Sequence, residues 1–167
     1  MKLITLNGVK LLVYQNGMIL RYSENRNGHL LKGWQEFKGC FNNKGYKTGR
    51  VNDTKYLFHR IIGFAYLNLD INNKKQFIDH IDRNRANNNL NNLRIVSRQE
   101  NGWNREVKGY SWHKQHQKYN VRIGINGKTL NIGLFDTEEN AHEAYLNAKT
   151  KYHIIQSSNN SNDNVNE

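Results

Sequence analysis

Apolar and polar positions alternate in short runs over the first half of the chain, separated by Gly- and Asn-containing turns. LLVY (Leu11–Tyr14) and MILRY (Met18–Tyr22) flank Gln15-Asn16-Gly17. An Asn-Gly pair between apolar runs is the strongest short-range hairpin signal. A second hairpin is predicted to pair Gly45–Val51 with Lys55–Phe58 across Asn52-Asp53-Thr54. The basic stretch around 23–44 has no such period and is predicted irregular. In HRIIGFAYL the residues Ile61, Ile62, Ala65 and Tyr66 recur at helical spacing, which predicts a short buried helix over His59–Leu67.

The middle of the chain changes character. Gln76–Ile81 reads as a strand with Asp79 and His80 at its end, an Asn-rich loop follows, and Leu93–Val96 makes a second strand. Ser97-Arg98-Gln99-Glu100 is a capping box, so a helix begins there and carries Asn101 in its first turn. From 108 onward the period is two. Tyr119, Val121, Ile123 and Ile125 share one face, and Leu130, Ile132 and Leu134 repeat the pattern against Thr129, Asn131 and Gly133. Asn126-Gly127 is the turn between them. Asp136-Thr137-Glu138-Glu139 starts a helix with Ala141, Ala144, Tyr145 and Ala148 on one side, small enough to lie close across a sheet. The class is α+β: N-terminal β-hairpins and a strand–loop–strand–helix unit, then a three-stranded antiparallel sheet packed on one helix. The expected divisions are 1–106, with hairpins to about 55 and the compact unit over 56–106, then 107–154, then a tail at 155–167. That tail holds little beyond Val165 to bury and is expected to be disordered.

Charge narrows the partner. Lys+Arg 25 against Asp+Glu 14 gives +11 over 167 residues. The excess is distributed: 11 basic against 4 acidic over 1–73, 6 against 3 over 74–104, and 8 against 5 over 105–155. Such a balance fits a polyanion, because each phosphate neutralised releases condensed counterions. No run of 18 apolar residues is present, so no membrane partner is expected. MKLITLNGVKLLVY, broken by Asn7, Gly8 and Lys10, is not a secretion signal, and an intracellular location, in the cytoplasm or nucleoid of a host cell, is expected. Cys40 alone makes neither an internal disulfide nor a structural zinc site. Trp34, Trp103 and Trp112 are expected in cores.

Asp79 and His80 are adjacent, with Asn92 twelve residues after His80 and Asn101 nine further on. Phosphodiester hydrolysis needs a base for water, a divalent cation on the phosphate and a group that orients the base. Histidine has the pKa of a base near neutrality. An Asp with an Asn amide oxygen supplies two hard ligands suited to Mg²⁺ or Mn²⁺. Neighbouring strand residues point to opposite faces, so the strand end or the following loop is expected to distort if Asp79 and His80 are to work together. Arg83, Arg85, Arg94 and Arg98 flank the site, and for each a phosphate contact and a solvated face are equally open. His59 is open between a phosphate contact and a hydrogen-bonded core position.

The string DHID-x₄-NN-x₂-NNLRIVS-x₃-N, with GYKTGRV…LFHRIIGFAY upstream, resembles the HNH endonucleases of the homing type found in phage introns. The resemblance covers roughly residues 10–104. It implies a ββα-metal core cleaving double-stranded DNA to 5′-phosphate and 3′-hydroxyl ends, with His80 as general base, Asp79 and Asn101 as ligands of one divalent cation, and Asn92 bracing the loop and fixing His80. Residues 108–150 are similar to the APETALA2-type DNA-binding domain in Gly109, Lys118-Tyr119, Ile132-Gly133, Phe135-Asp136-Thr137 and Glu139-x-Ala141-x₂-Ala144-Tyr145. That resemblance implies a sheet lying in the major groove. The family's arginines and tryptophans are here replaced by Ser111, His113, Asn120, Arg122, Thr129 and Asn131, with Lys108, Lys118 and Lys128 available for phosphates. A catalytically silent DNA-binding regulator is the alternative, and an RNA-binding basic protein accounts for the charge alone. Monomer and homodimer are both compatible with the sequence.

Overall fold

The computed structural model describes residues 1–23 and 33–155. They form two compact units, the first running to Asn101 and the second spanning Gly102–Gln156. The tail from 156 onward, expected to be disordered, lies outside the described residues.

The first unit opens with four strands, β1 (Lys2–Leu6), β2 (Val9–Val13), β3 (Ile19–Ser23) and β4 (Gly33–Glu36), paired antiparallel in chain order. β1 and its turn were not among the expected elements. Asn7 and Gly8 both take positive φ, 48° and 76°, the backbone a two-residue hairpin turn requires. β4 and the short β5 (Cys40–Phe41) fall in the stretch expected to be irregular. GWQE has one apolar side chain and β5 only two residues, so neither carries a pattern of its own. β5 pairs with β6 (Lys47–Val51), which pairs with β7 (Thr54–Leu57) across Asn52-Asp53.

Helix α1 (Phe58–Tyr66) starts one residue earlier than expected and has no side-chain cap. Burial holds it: Phe58, Ile61, Ile62 and Ala65 pack with Leu11, Val13, Ile19, Val51, Ile78 and Leu93 in one core. Each fully buried large side chain contributes about 1.5–3 kcal/mol. Tyr66 ties α1 to β2, its hydroxyl donating to the Val13 carbonyl at 2.7 Å. Arg60 donates to the carbonyls of Gln76, Asp70, Ile71 and Asn73 at 2.8–3.3 Å. One guanidinium thus gathers the connection into β8 (Phe77–His80), which pairs with β9 (Leu93–Val96). α2 (Arg98–Trp103) follows, and its capping box forms: Glu100 N–H donates to Ser97 Oγ at 3.2 Å, and Ser97 N–H donates to Glu100 Oε2 at 2.7 Å.

The second unit is a sheet of β10 (Tyr110–His113), β11 (Lys118–Ile125) and β12 (Lys128–Phe135) with α3 (Glu138–Tyr152) on one face. Thr137 caps α3, accepting from Asn140 N–H at 3.2 Å. Glu138 and Glu139 at its start and Lys149 and Lys151 at its end oppose the helix dipole. Ala141, Tyr145 and Ala148 bury against Val121 and Ile123. Asn126 and Gly127 turn the chain with φ of 49° and 75°.

The expected face of β12 needs correction. The register with β11 shifts between Val121 and Arg122, so that Ile132 is an extra residue between Gly133 and Asn131. A bulge reverses the faces beyond it. Leu134 therefore lies opposite Asn120 on the open face, and 38% of it is exposed. The tryptophans also depart from expectation: Trp34 packs edge-on against Tyr22 while remaining exposed, Trp112 is exposed, and Trp103 stacks on His153.

Candidate active site

β8 and β9 set Asp79 opposite Arg94 and His80 opposite Leu93. The ladder stays regular through His80, so of the two expected places for a distortion the strand end shows none. The chain turns only afterwards: Arg83 N–H donates to the His80 carbonyl at 2.9 Å, and Arg83 takes φ 64°. Asp79 and His80 thus leave the strand on opposite faces. Both are buried, at 6% and 4% exposure.

Loop 81–92 is shaped by side chains closing two-residue turns. Asp82 Oδ1 accepts from Asn84 N–H, Asn84 Oδ1 from Ala86 N–H, Asn87 Oδ1 from Asn89 N–H, and Asn89 Oδ1 from Asn91 N–H, at 2.8–3.3 Å. Asn92 crosses the loop. Its Nδ2 donates to Asp82 Oδ1 at 2.8 Å and to the Asn87 carbonyl at 2.9 Å, while its Oδ1 accepts from Asp82 N–H at 2.9 Å. Burial raises the Asp82 carboxyl, but hydrogen bonds from Asn87, Asn84 and Asn92 outweigh it and hold the pKa below the usual value. Asn92→Ala is expected to cost about 1–3 kcal/mol of stability by leaving buried polar groups unpaired. Urea unfolding measures this, and an unchanged midpoint and slope would show that Asn92 braces nothing.

The side chain that meets His80 is Asn88, not Asn92. Asn88 Oδ1 lies 3.2 Å from His80 Nε2, and Asn88 Nδ2 donates to the Ala86 carbonyl at 3.3 Å. With the amide nitrogen so used, the oxygen faces the ring, and Nε2 must be the protonated nitrogen. Nδ1 then carries the lone pair. Burial pulls the His80 pKa below its ordinary value, while Asn88, Asp82 and Asp79 push it back and Arg85 adds to the lowering. The His59 ring stands edge-on to His80 at 5.0 Å between centroids, and Tyr46 lies 5.1 Å from His59 and 5.9 Å from His80. His59 is buried with its Nδ1 unpartnered, and burial first, then His80 and Arg60, bring its pKa down to about 3.

The flanking arginines divide. Arg94 gives Nε and an Nη nitrogen to Asp79 Oδ2 at 2.9 and 2.7 Å, so its charge is engaged inside the protein rather than offered to a phosphate. Arg85 donates to the Lys44 carbonyl at 2.9 Å and covers the Tyr46 ring. Arg98 is exposed in the first turn of α2, and Asn101 follows in the same helix with its N–H on the Ser97 carbonyl. Among the described residues no three His, Cys, Asp or Glu side chains group as a metal site.

In the second unit the register places Ser111 opposite Asn120, His113 opposite Lys118, Arg122 opposite Asn131 and Gly124 opposite Thr129 on the face away from α3. Lys118 pairs with Asp136 at 3.0 Å. Lys108 sits over the Tyr110 ring, and Lys128 begins β12 opposite Ile125. Asn88, Tyr46 and Asp82 were missed from the sequence. Asn88 is one of three consecutive asparagines, and only the fold tells them apart.

Residues 56–103, the segment that carries Asp79, His80, Asn92 and Asn101, match the family of HNH endonucleases. Protein 3.8 of Escherichia phage T7 is 36% identical over an alignment of 67 residues that covers 35% of this chain and 55% of that protein. The chain thus spans about half the length of the relative it matches. The HNH homing endonuclease I-HmuI, solved in work on its DNA binding and cleavage, aligns with a TM-score of 0.44 and 20% identity over 78% of this chain and 77% of that one. No helix among the described residues is long and apolar enough to cross a membrane.

Proposed function

We propose that the protein is a divalent-cation-dependent DNA endonuclease in which His80 is the general base. One observation carries this reading: a buried imidazole at a strand end, its Nε2–H held by Asn88 Oδ1, within the segment that matches HNH endonucleases. Nδ1 receives the proton of the attacking water, and the imidazolium so formed is favoured by the hydrogen bond to Asn88 and by Asp82 and Asp79. Asp79 and Asn101 would hold the cation. Their oxygen donors suit Mg²⁺ or Mn²⁺, which keep several waters and need few protein ligands. When bound, the cation supplies charge stabilisation to the phosphate and the 3′-oxygen. Arg94, 2.7 Å from Asp79 Oδ2, neutralises that carboxylate and holds its rotamer.

Nicking of supercoiled plasmid with and without Mg²⁺ tests the proposal, and no conversion in either condition would end it. A DNA-binding protein without cleavage is favoured by one observation, the Arg94 guanidinium already on Asp79, and the same assay separates the two. Asp79→Ala and Asn101→Ala are expected to slow nicking by about 100-fold or more and to raise the Mg²⁺ concentration at half-maximal rate. Metal titrations identical to wild type would remove both from the ligand set. Asn92→Ala is expected to slow nicking less than loss of His80 does, because Asn92 shapes the loop and accepts no proton.

The second unit reads as the part that selects the DNA site, an APETALA2-type role supported by its sheet-and-helix layout and by the open face bearing Asn120, Arg122, Thr129 and Asn131. Paired bonds from Asn to adenine or Arg to guanine are each worth about 1–3 kcal/mol of discrimination. Arg122→Ala with Asn131→Ala is expected to blur the map of cut sites along a long duplex while leaving the maximal rate in place. An unaltered map would assign site choice elsewhere.

A further inference from the structure

We infer that the β2–β3 turn, Gln15–Gly17, is the positioning element for His80, acting through the backbone of Asn88; this rests on the reading of His80 as the base. The turn lies outside the segment that matches HNH endonucleases, residues 56–103. Its own shape is fixed: Tyr14 N–H donates to the Met18 carbonyl at 2.9 Å, Gly17 N–H to the Tyr14 carbonyl at 3.1 Å, and Met18 N–H to Asn16 Oδ1 at 3.0 Å. Val13 and Ile19, at the strand ends beside it, are buried in the core. The turn is therefore a rigid platform.

Two contacts join this platform to the loop. Leu90 N–H donates to the Gln15 carbonyl at 2.7 Å. Gly17, at φ +90°, lies so close to Asn88 that a Cβ on it would stand 2.9 Å from the Asn88 carbonyl oxygen, 3.0 Å from its carbon and 3.2 Å from its Cβ. Only a residue without a side chain fits there. The two-residue side-chain turns of loop 81–92 set its local shape, but they do not fix where Asn88 stands against the rest of the unit. Gln15 and Gly17 do, from the side of the first sheet. Asn88, 6% exposed, passes that position to His80 through Oδ1.

Gly8 provides the control. It too has positive φ, +76°, but a Cβ there meets nothing within 4 Å. Gly17→Ala and Gly8→Ala therefore carry comparable backbone strain, and only the first presses on Asn88. Gly17→Ala is expected to lower kcat for Mg²⁺-dependent plasmid nicking by about 10- to 100-fold with KM for the plasmid unchanged. Gly8→Ala is expected to nick like wild type. Gly17→Ala combined with Asn88→Ala should be no slower than Asn88→Ala alone, since both act on one contact. Equal loss in the two glycine variants, or no loss in Gly17→Ala, overturns the inference.

The ¹⁵N signals of the His80 ring, read without DNA or metal, separate this inference from the nuclease reading. If the wild-type chain nicks nothing, that reading fails, and the ring alone decides. An Nε2–H signal lost in Gly17→Ala and kept in Gly8→Ala upholds the positioning role, and equal spectra refute it. Should Gly17→Ala fail to fold, the wild-type chain decides: Gly17 Hα must show nuclear Overhauser contacts to Asn88 and the Leu90 amide must exchange slowly. Absence of either overturns the inference.

Discussion

His80→Ala is expected to slow phosphodiester cleavage by about 10²–10⁴-fold, the range a positioned general base supplies, and to leave DNA affinity nearly unchanged. The base acts only in the chemical step, so its loss appears in kcat. The pH profile sharpens the test. His80 must be neutral to accept a proton, and burial draws its pKa below its ordinary value of 6.5 against the opposing pull of Asn88, Asp82 and Asp79. The wild-type rate should rise with pH through that lowered pKa and be level by neutrality. In His80→Ala this limb should vanish. A variant that nicks at the wild-type rate, or keeps the same acid limb, shows that another group takes the proton.

Acid should destabilise the first unit through His59. Its pKa is about 3 in the folded protein against 6.5 for a free histidine, so the unfolded chain binds the proton more readily. The stability from burying neutral His59 is complete above about pH 6.5 and is lost as pH falls toward 3. The loss runs at about 1.4 kcal/mol per pH unit for one proton. Between about pH 6.5 and 4.5 most carboxylates stay ionised, so the slope there belongs mainly to histidine. His59→Phe keeps an aromatic ring beside His80 and removes the proton site. Its unfolding free energy, from urea curves across that window, should fall less steeply than that of wild type by nearly one proton's worth. Parallel curves would mean that His59 is protonated in the fold.

Local signals read well from the sequence, and relations between distant segments did not. The strand Leu93–Val96, the capping box of Ser97 and Glu100 and the turn at Asn126-Gly127 are each written within a few residues, and each formed as expected. β4 escaped because GWQE offers a single apolar side chain, Trp34, where LRIV offers three, and β5 because it has only two residues. The reversed face of Leu134 depends on one extra residue at Ile132, and an unbroken apolar–polar alternation does not announce a bulge. In the site, the spacing of Asp79, His80, Asn92 and Asn101 singled out one segment. That Arg94 grips Asp79 follows from cross-strand register, Asp79 opposite Arg94, and register is a property of the pair of strands. The choice of Asn88 over its neighbours is made by a turn some seventy positions away in the chain, at Gly17.

The chain contains no proline, and the loop between the two strands of the site is built from Asx side chains instead. Asp82, Asn84, Asn87 and Asn89 each cap the amide two residues ahead. Asn92, bonded to Asp82 and to the Asn87 carbonyl beside Asn88, ties the two ends of the loop together. Such a loop counts residues: adding or deleting a single position between Asp82 and Asn88 leaves the local caps able to form but presents a neighbour of Asn88 to the histidine. Its surface exposure would suggest a segment free to vary in length, yet its internal arithmetic makes it as fixed in length as a helix turn.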